Sequence, residues 1–480
     1  PSLWHDELVH AYVARALAES GTPTLPSGRL FPGSFVYHLL LAPVIAAAGL
    51  SEASVRSLSV VAHGATLPAA YALARHLLGR PTAVAALLLL LTSPWAMAWA
   101  QQAKPYQWQT LLYLLFCAAC WRAWAAPRPA SALAYALAAG AVYLAAVATV
   151  FHGLLFVAGP GLFCLAETLR TRAQPSRAFT GGLALALAGA VLLLTMRLTL
   201  NEVDQTAVFR TGLGTLPDLA RLDRLFYARW LWLNLSLGWF LVASFGLGAA
   251  LWRGGHRGWY VAACFVGPLL VLTFVIGYRR PRFLYFAYPF YVMLAAYGLA
   301  VLAGFARTWR HSLTRTVLAL AIALFGLRLA VSTARLSADT WHTARGADLT
   351  LARRQPQWRA PCTWVREHAT PQDAILTTTY LPVLHYTGRV DQWFPNRFQW
   401  WEYQESGLGG LAGIPQLEAW LAHHPRGYFI AEKSRWDFWR EHGALTALDE
   451  MVRWVEANMQ YLEHASSADV RVYAWGQHDD

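Results

Sequence analysis

The sequence predicts a multi-span α-helical membrane protein with a soluble α/β domain at its C-terminal end. Of its 480 residues, 56% are hydrophobic and only 14% are charged, whereas about 25% of residues are charged in soluble domains. Ten apolar runs approach the ~17 to 25 residues that cross a bilayer. After about residue 340 the composition becomes mixed and charged. Together these observations exclude an ordinary soluble enzyme.

The predicted spans run at about 56–78, 81–99, 106–124, 132–149, 152–169, 179–199, 229–251, 258–277, 283–304 and 313–331. With the N-terminal end outside, every connection on the inner side contains arginine, as the positive-inside rule requires. This orientation also leaves the segment after about residue 335 outside. It predicts a preceding helix that would carry the first residues across the membrane.

We therefore predict three parts: an outer first loop with interfacial helices (1–55), a polytopic transmembrane domain (56–335) and an extracytoplasmic α/β domain (336–480). The apolar stretch "FPGSFVYHLLLAPVIAAAGL" (31–50) contains Pro32, His38 and Pro43, which favours one or two helices lying at the membrane interface. An eleventh span is the alternative. It would invert the loops and destroy the arginine pattern.

In the C-terminal part, short strands are predicted at "DAILTTT" (373–379), "GYFIAEK" (427–433) and "VRVYAWG" (470–476). Helical patterns lie between them, which indicates an α/β arrangement. The net charge of +12 comes from arginines scattered between apolar runs, so it does not indicate a nucleic-acid partner. No histidine and carboxylate cluster has metal-ligand spacing.

The carboxylates Asp6 and Glu7 stand at the start of the stretch "LVHAYVARALAESG", which has apolar residues at helical spacing. Adjacent carboxylates next to a membrane are costly unless they are solvated, paired or used. Capping of the helix by Asp6 is one interpretation. A catalytic role is the other.

Two cationic segments are predicted on the same outer face. Lys104 is the only lysine before residue 433 and lies beside Tyr106 in "WAQQAKPYQW" (99–108). Arg279, Arg280 and Arg282 are crowded into "GYRRPRFLYFAYP" (277–289). Arginines on the outer face oppose the positive-inside trend, and guanidinium groups match phosphate oxygens. They predict binding of an anionic headgroup, either of a substrate or of ordinary lipids.

The order of these elements resembles the GT-C superfamily of membrane glycosyltransferases, in the branch of protein O-mannosyltransferases and aminoarabinose transferases. The matching residues are the acidic pair in "WHDELVHAYVARALAESG", Arg56 at the start of the next helix, and Lys104-Pro105-Tyr106. The segment "RRPRFLYFAYPFYVMLAAYGL" is similar to the late, arginine-led helix of that branch. The resemblance covers about residues 1–331.

The resemblance implies inverting transfer of a sugar from a polyprenyl-phosphate carrier to a protein, lipid or glycan acceptor on the outer face. Asp6 would be the general base, with Glu7 or His10 orienting the site. The other substrate-binding candidates are Lys104, Tyr106, Arg279, Arg280, Arg282 and Arg56. No metal or other cofactor is strictly required, although a divalent cation is compatible with relatives of the branch. The Ala/Leu/Arg/Trp-rich, lysine-poor composition indicates a bacterium with a GC-rich genome, which predicts an inner-membrane location with a periplasmic active site.

Two other classes remain open. A non-catalytic GT-C-like subunit would keep the scaffold within a larger membrane complex. A lipid or sugar transporter would place ionisable groups near the middle of its spans, and the predicted spans contain few of them. The aromatic segment "VDQWFPNRFQWWEY" (390–403), with Trp400 and Trp401, is typical of sugar stacking or of a protein interface.

Overall fold

The structure is a computed structural model that describes residues 2–171, 224–276, 280–308, 356–394, 406–433 and 445–476, with single positions between 316 and 335. The chain forms two compact units. The first unit contains residues 1–31, 38–55 and 354–480, and the second contains residues 32–37 and 56–353. Most of the N-terminal segment and the C-terminal segment therefore belong to one unit. The domain boundaries at residues 55 and 335 stay a prediction.

Helices dominate the described part of the chain up to residue 308. They are α1 (His5–Ser20), α2 (Phe35–Ala48), α3 (Glu52–Leu78), α4 (Arg80–Leu91), α5 (Pro94–Ala100), α6 (Tyr106–Ala125), α7 (Pro129–Thr149), α8 (Ala158–Thr171), α9 (Phe226–Leu235), α10 (Leu237–Arg253), α11 (Gly255–Phe274) and α12 (Tyr288–Thr308). Short 3-10 helices occupy Phe151–Val157, Pro281–Phe283 and Tyr285–Ala287. The stretch predicted to be interfacial thus contains one helix, α2.

Five helical stretches among the described residues are long and apolar enough to cross a membrane: Glu52–Leu78, Pro129–Thr149, Phe151–Arg170, Gly255–Phe274 and Tyr285–Phe305. The count rises to six if α4 and α5, which meet at a bend of 57°, form one broken span. These six coincide with predicted spans. The predicted span at 179–199 lies outside the described residues, as does most of the span at 313–331, so ten spans stay a prediction.

The predicted span at 229–251 is two helices instead of one. α9 and α10 meet at Ser236, whose φ of 92° is unfavourable for a residue with a side chain. The Ser236 hydroxyl accepts a hydrogen bond from the N–H of Trp239 at 3.4 Å, which caps α10. Hydropathy misses this break because one serine barely lowers the mean of an apolar run.

Glycines allow α10 and α12 to pack closely. A Cβ atom at Gly246 would collide with the carbonyl oxygen of Leu294, and one at Gly298 would lie 2.6 Å from the carbonyl oxygen of Val242. Small residues at such crossings let helix backbones approach each other in membranes, where packing contributes most of the association energy. The close packing of α10 against α12 therefore requires glycine at positions 246 and 298.

The C-terminal segment contains α13 (Arg359–His368), β1 (Ala374–Thr377), α14 (Tyr380–Thr387), β2 (Gln392–Trp393), α15 (Ile414–His423), β3 (Gly427–Glu432), α16 (Leu445–Asn458), β4 (Gln460–Tyr461) and β5 (Val470–Trp475). The three predicted strands are confirmed. The sheet order is β2-β1-β3-β5-β4, with β1 parallel to β2 and β3, and β5 antiparallel to β3 and β4.

Side chains alternate between the two faces of the sheet along each strand. Both faces carry apolar side chains, and helices cover both. On one face Leu376, Phe429 and Tyr473 align across β1, β3 and β5 and pack against α15 and α16. On the other face Ile375 and Ile430 pack with residues of α13 and α14. The outer side of α14 in turn contacts α1, the helix that carries the acidic pair.

Candidate functional site

Asp6 and Glu7 lie in the first turn of α1, and their carboxylates have different surroundings. Glu7 is fully buried, and its Oε2 accepts a hydrogen bond from the backbone N–H of Trp4 at 3.0 Å. Asp6 is half-buried. The helix begins at His5 with Trp4 as its N-cap residue, so the suggestion that Asp6 is the capping residue is wrong. The carboxylate that closes the first turn is that of Glu7.

One turn further along α1, His10 is hydrogen-bonded to His38 of α2. Nδ1 of His10 lies 2.9 Å from Nε2 of His38, and the ring centroids are 5.1 Å apart. His38 is fully buried, and its ring also contacts Phe31 at 6.0 Å. Because residues four positions apart lie on one face of a helix, Asp6 and His10 share a face of α1.

The C-terminal segment fixes both ends of the N-terminal segment. The hydroxyl of Tyr386 accepts a hydrogen bond from the N–H of Leu3 at 2.7 Å and donates one to Oε1 of Glu52 at 2.8 Å. Arg359 forms an ion pair with Glu52, and its N–H donates to the hydroxyl of Ser2 at 3.0 Å. The start of α1 and the start of α3 are thus joined through α13 and α14.

The contact between Tyr12 of α1 and His385 of α14 is partly buried, and neither ring is charged at neutral pH. The rings of Tyr12 and His385 meet edge to face at 6.5 Å. Burial raises the pKa of Tyr12 to about 12. Burial, together with the nearby positive charge of Arg359, lowers the pKa of His385 to about 4. Neither side chain ionises near pH 7, so this contact holds α1 without introducing charge beside Asp6.

In the second unit, two cations lie against one pair of aromatic rings. Nζ of Lys104 is 5.9 Å from the ring centroid of Trp99, and the guanidinium carbon of Arg282 is 5.9 Å from that of Tyr106. The two rings are 4.6 Å apart. Lys104 is only 3% exposed, and Arg282 is half-buried. We call Trp99, Lys104, Tyr106 and Arg282 the cation–aromatic cluster.

Buried hydrogen bonds support the walls of this cluster. Tyr285, whose ring lies 5.6 Å from that of Trp99, donates its hydroxyl proton to Oε1 of Gln107. The amide nitrogen of Gln107 reaches the hydroxyl of Thr66 on α3 at 3.3 Å. The hydroxyl of Ser59, also on α3, donates to the carbonyl oxygen of Lys104 at 3.3 Å. The loop between α5 and α6 is therefore held by α3 and by the 3-10 helix of Tyr285.

The other residues predicted to bind substrate are Arg56, Arg279, Arg280, Trp400 and Trp401. The backbone carbonyl oxygen of Arg280 accepts a hydrogen bond from the Tyr227 hydroxyl at 3.3 Å, and Arg56 is half-buried near the start of α3. Arg279, Trp400 and Trp401 lie outside the described residues, so their roles stay predictions.

Metal-ligating side chains are not clustered among the described residues. No group of three or more His, Cys, Asp or Glu side chains in the part of the chain that the structure describes is arranged to hold a metal ion. Hard divalent cations need about six oxygen ligands. Asp6 and Glu7 are the adjacent carboxylates, and Glu7 is already bonded to the Trp4 N–H. Independence from metal stays a prediction.

The acidic pair with its neighbouring histidine and the cation–aromatic cluster suit different steps of a group transfer. A half-buried carboxylate with a neighbouring imidazole can take a proton from a hydroxyl group. Two cations against aromatic walls can stabilise negative charge strongly, because a low local dielectric strengthens electrostatic interactions. Asp6 and His10 provide the first arrangement, and Lys104 and Arg282 provide the second.

Sequence reasoning missed several residues that build these arrangements. In the sequence His38 is only a polar residue in an apolar stretch, and the predicted site does not include Trp99, Gln107 or Tyr285. Trp99 and Gln107 flank Lys104 in the printed sequence, so a signal existed: polar and aromatic residues surround a unique lysine. Nothing in the sequence pairs His10 with His38, which are 28 residues apart.

Comparison with solved structures supports the fold. A crystal structure of ArnT from Cupriavidus metallidurans bound to undecaprenyl phosphate matches with a TM-score of 0.65 and 14% identity, covering 98% of this chain and 94% of that one. The oligosaccharyltransferase of Archaeoglobus fulgidus matches with a TM-score of 0.60 and 13% identity, covering 100% and 71%. The archaeal oligosaccharyltransferase AglB from Archaeoglobus fulgidus, in complex with an inhibitory peptide and a dolichol-phosphate, matches with a TM-score of 0.58 and 13% identity. That match covers 99% of this chain and 71% of that one.

No protein-family model matches the sequence, and no curated protein matches it significantly. The similarity is therefore one of three-dimensional structure at low identity, and it extends over nearly the whole chain. It includes the small sheet as well as the membrane helices.

Proposed function

We propose that this chain, which has the GT-C fold, is an inverting glycosyltransferase that moves a sugar from a polyprenyl-phosphate donor to a hydroxyl group of an acceptor. The observation that carries the proposal is the placement of Lys104 and Arg282 against the Trp99–Tyr106 ring pair. Undecaprenyl phosphate and dolichol-phosphate, bound by two of the similar proteins, combine an anionic headgroup with an apolar chain. That is the chemistry this cluster would accept.

On the donor side, Lys104 and Arg282 would neutralise the phosphate as it leaves. The bond between the anomeric carbon and the phosphate oxygen breaks, and its electron pair stays on the phosphate. Two fixed cations stabilise this charge more in the transition state than in the intact phosphodiester, which is the condition for faster chemistry. Tyr106 and Trp99 hold the cations in place and restrict water around them.

On the acceptor side, Asp6 would act as the general base. The acceptor oxygen attacks the anomeric carbon from the side opposite the phosphate, and its proton passes to the Asp6 carboxylate. The products are the glycosylated acceptor, with inverted anomeric configuration, and the polyprenyl phosphate. Glu7 would hold the start of α1, and His10 would orient the polar groups around Asp6. The acceptor would be a protein, lipid or glycan hydroxyl.

The predicted topology extends this proposal to the cell. The reaction would take place at the periplasmic face of a bacterial inner membrane, with the α/β segment on that side. Membrane lipids would surround the helices, and a further membrane-complex subunit would be compatible with the aromatic composition of the segment around Trp400. Arg279 and Arg280 would contribute further positive charge near the donor headgroup.

The test is sugar transfer by the purified full chain in lipid nanodiscs. Undecaprenyl phosphate carrying labelled sugars serves as the donor, and bacterial envelope material that retains its proteins, lipids and glycans serves as the acceptor pool. We expect the wild type to release free undecaprenyl phosphate and to label the acceptor. Asp6→Asn should lower kcat about 100-fold or more, as loss of a general base does.

The matched control is Glu19→Gln, which removes an exposed carboxylate of the same helix that pairs only with Arg15 among the contacts given. It should transfer sugar at the wild-type rate. Equal rates for wild type and Asp6→Asn would overturn the general-base assignment. A wild type that binds the donor but never transfers sugar would favour the non-catalytic subunit instead.

A further inference from the structure

His38 is an unusual residue for its position in α2. The helix sequence "FVYHLLLAPVIAAA" is apolar apart from this imidazole and the Tyr37 hydroxyl, and His38 is fully buried. A buried polar group costs free energy unless it is hydrogen-bonded. One of its contacts is the 2.9 Å hydrogen bond to His10, which links this histidine to α1.

The hydrogen bond restricts the chemistry of His10. Nδ1 of His10 faces Nε2 of His38, and one proton lies between the two nitrogens because two unprotonated lone pairs would repel. The tautomer of a histidine is set by the hydrogen bond that its other nitrogen makes. With Nδ1 engaged, Nε2 is the nitrogen through which His10 can interact with a reacting group, on the helix face that also carries Asp6.

We propose that His38 is a positioning residue: it fixes the ring orientation and tautomer of His10 so that Nε2 is presented beside Asp6. This proposal rests on the proposed function, because it assigns the imidazole a place next to the general base. Phe31, whose ring lies 6.0 Å from that of His38, closes the other side of the imidazole. In this role His38 acts on the reaction through His10.

If His38 positions His10, a substitution of His38 should change kcat without changing the KM for the lipid donor. A misplaced His10 would slow the proton transfer to Asp6, while binding of the lipid donor by Lys104 and Arg282 would not depend on α2. We therefore expect His38→Phe, which keeps an aromatic ring but cannot form the hydrogen bond, to lower kcat about tenfold or more. The KM for the undecaprenyl-phosphate sugar should stay within twofold of the wild type.

His38→Gln is the rescuing variant, because its side-chain amide can place a donor or acceptor near the position of the imidazole Nε2. It should recover at least a third of the wild-type kcat. Both variants should elute and unfold as the wild type does, which separates a positioning role from a purely structural one. His423→Phe, an exposed histidine on α15, is the control for replacing a histidine elsewhere in the same unit.

A measurement without turnover separates this proposal from the proposed function. In protein labelled with 15N-histidine, the His10 resonances are identified by their loss in His10→Gln. We expect the His10 tautomer ratio to change in His38→Phe and to stay near the wild type in His38→Gln and His423→Phe. An unchanged His10 signal in His38→Phe, or a wild-type kcat in that variant, would overturn the positioning role. If the wild type transfers no sugar, the tautomer measurement still decides whether His38 fixes His10.

Discussion

The hydroxyl of Tyr386 on α14 donates a hydrogen bond to the carboxylate of Glu52, at the start of α3, over 2.8 Å. The same oxygen accepts the N–H of Leu3, just before the helix that carries Asp6. One side chain of the C-terminal segment therefore links two points that are 49 residues apart in the chain. The α/β segment is in this way part of the framework that places the acidic pair.

Tyr386→Phe should loosen this framework. The substitution leaves the buried N–H of Leu3 without its acceptor and removes one donor to Glu52, and an unsatisfied buried group costs about 1–3 kcal/mol. We expect a lower midpoint of thermal unfolding in detergent and a lower kcat for sugar transfer. Tyr461→Phe, which removes the hydroxyl of a tyrosine that is 47% exposed, should change neither quantity.

Lys104→Met and Arg282→Gln should each impair use of the lipid donor. Removing one fixed charge that stabilises a developing anion costs about 100-fold in rate, so we expect kcat/KM to fall by about that factor. The effect should persist at high salt, because buried charges are little screened. Arg253→Gln is the control: its guanidinium lies 4.5 Å from the Phe305 ring, away from the cluster. A wild-type kcat/KM for Lys104→Met would remove this residue from the donor site.

The sequence identifies the cationic residues but not how they are held. Lys104 stands out because no other lysine precedes residue 433, and Arg282 because it belongs to a cluster of three arginines that opposes the positive-inside trend. The placement of Lys104 against Trp99 and of Arg282 against Tyr106 becomes visible only when α5, α6 and the 3-10 helix at Pro281–Phe283 pack together. Hydropathy locates spans by average composition, so it cannot show a bend such as that between α4 and α5 or a break at Ser236.

At the start of α1, too, the sequence predicts the element but not the contacts of its side chains. The sequence correctly places Asp6 and Glu7 at the start of a helix, but its interpretation of Asp6 as the cap is wrong, because Trp4 is the N-cap residue and Glu7 accepts the Trp4 N–H. Which residue caps depends on whether the helix begins at residue 5 or 7, and this two-residue shift changes the surroundings of both carboxylates. The joining of α1 to α14 depends on contacts more than 370 residues apart, which periodicity cannot reveal.

The pKa of His385 predicts acid sensitivity of the first unit. The folded-state pKa of about 4 lies below the ordinary value of 6.5, so between these pH values the unfolded chain binds more protons than the folded one. This contribution to stability is complete above about pH 6.5 and is lost as the pH falls toward 4, by up to about 1.4 kcal/mol per pH unit. His385→Gln should unfold with a shallower pH dependence between pH 6.5 and 4.5. Identical slopes in chemical denaturation would contradict the prediction.

Gly246→Val should destabilise the membrane helices. A side chain at this position collides with the carbonyl oxygen of Leu294 on α12, and overpacking of this kind costs about 1–3 kcal/mol. Gly248→Val makes the same chemical change two residues along α10, where a Cβ atom has no neighbour within 4 Å. Helix propensity changes equally in both variants. We therefore expect thermal unfolding in detergent to shift downward for Gly246→Val alone, and equal shifts would mean that close packing at Gly246 is not what holds the pair.

Substitutions of the acidic pair should separate folding from chemistry. Glu7→Ala removes the acceptor for the Trp4 N–H and should lower the unfolding free energy by about 0.5–2 kcal/mol, whereas Glu7→Gln keeps an amide oxygen as acceptor and should retain most of the stability. Asp6→Asn should unfold like the wild type and lose kcat. Chemical denaturation and transfer assays on the same preparations measure both quantities. If Asp6→Asn lost stability as Glu7→Ala is expected to do, the carboxylate of Asp6 would be holding α1 and not acting on the acceptor.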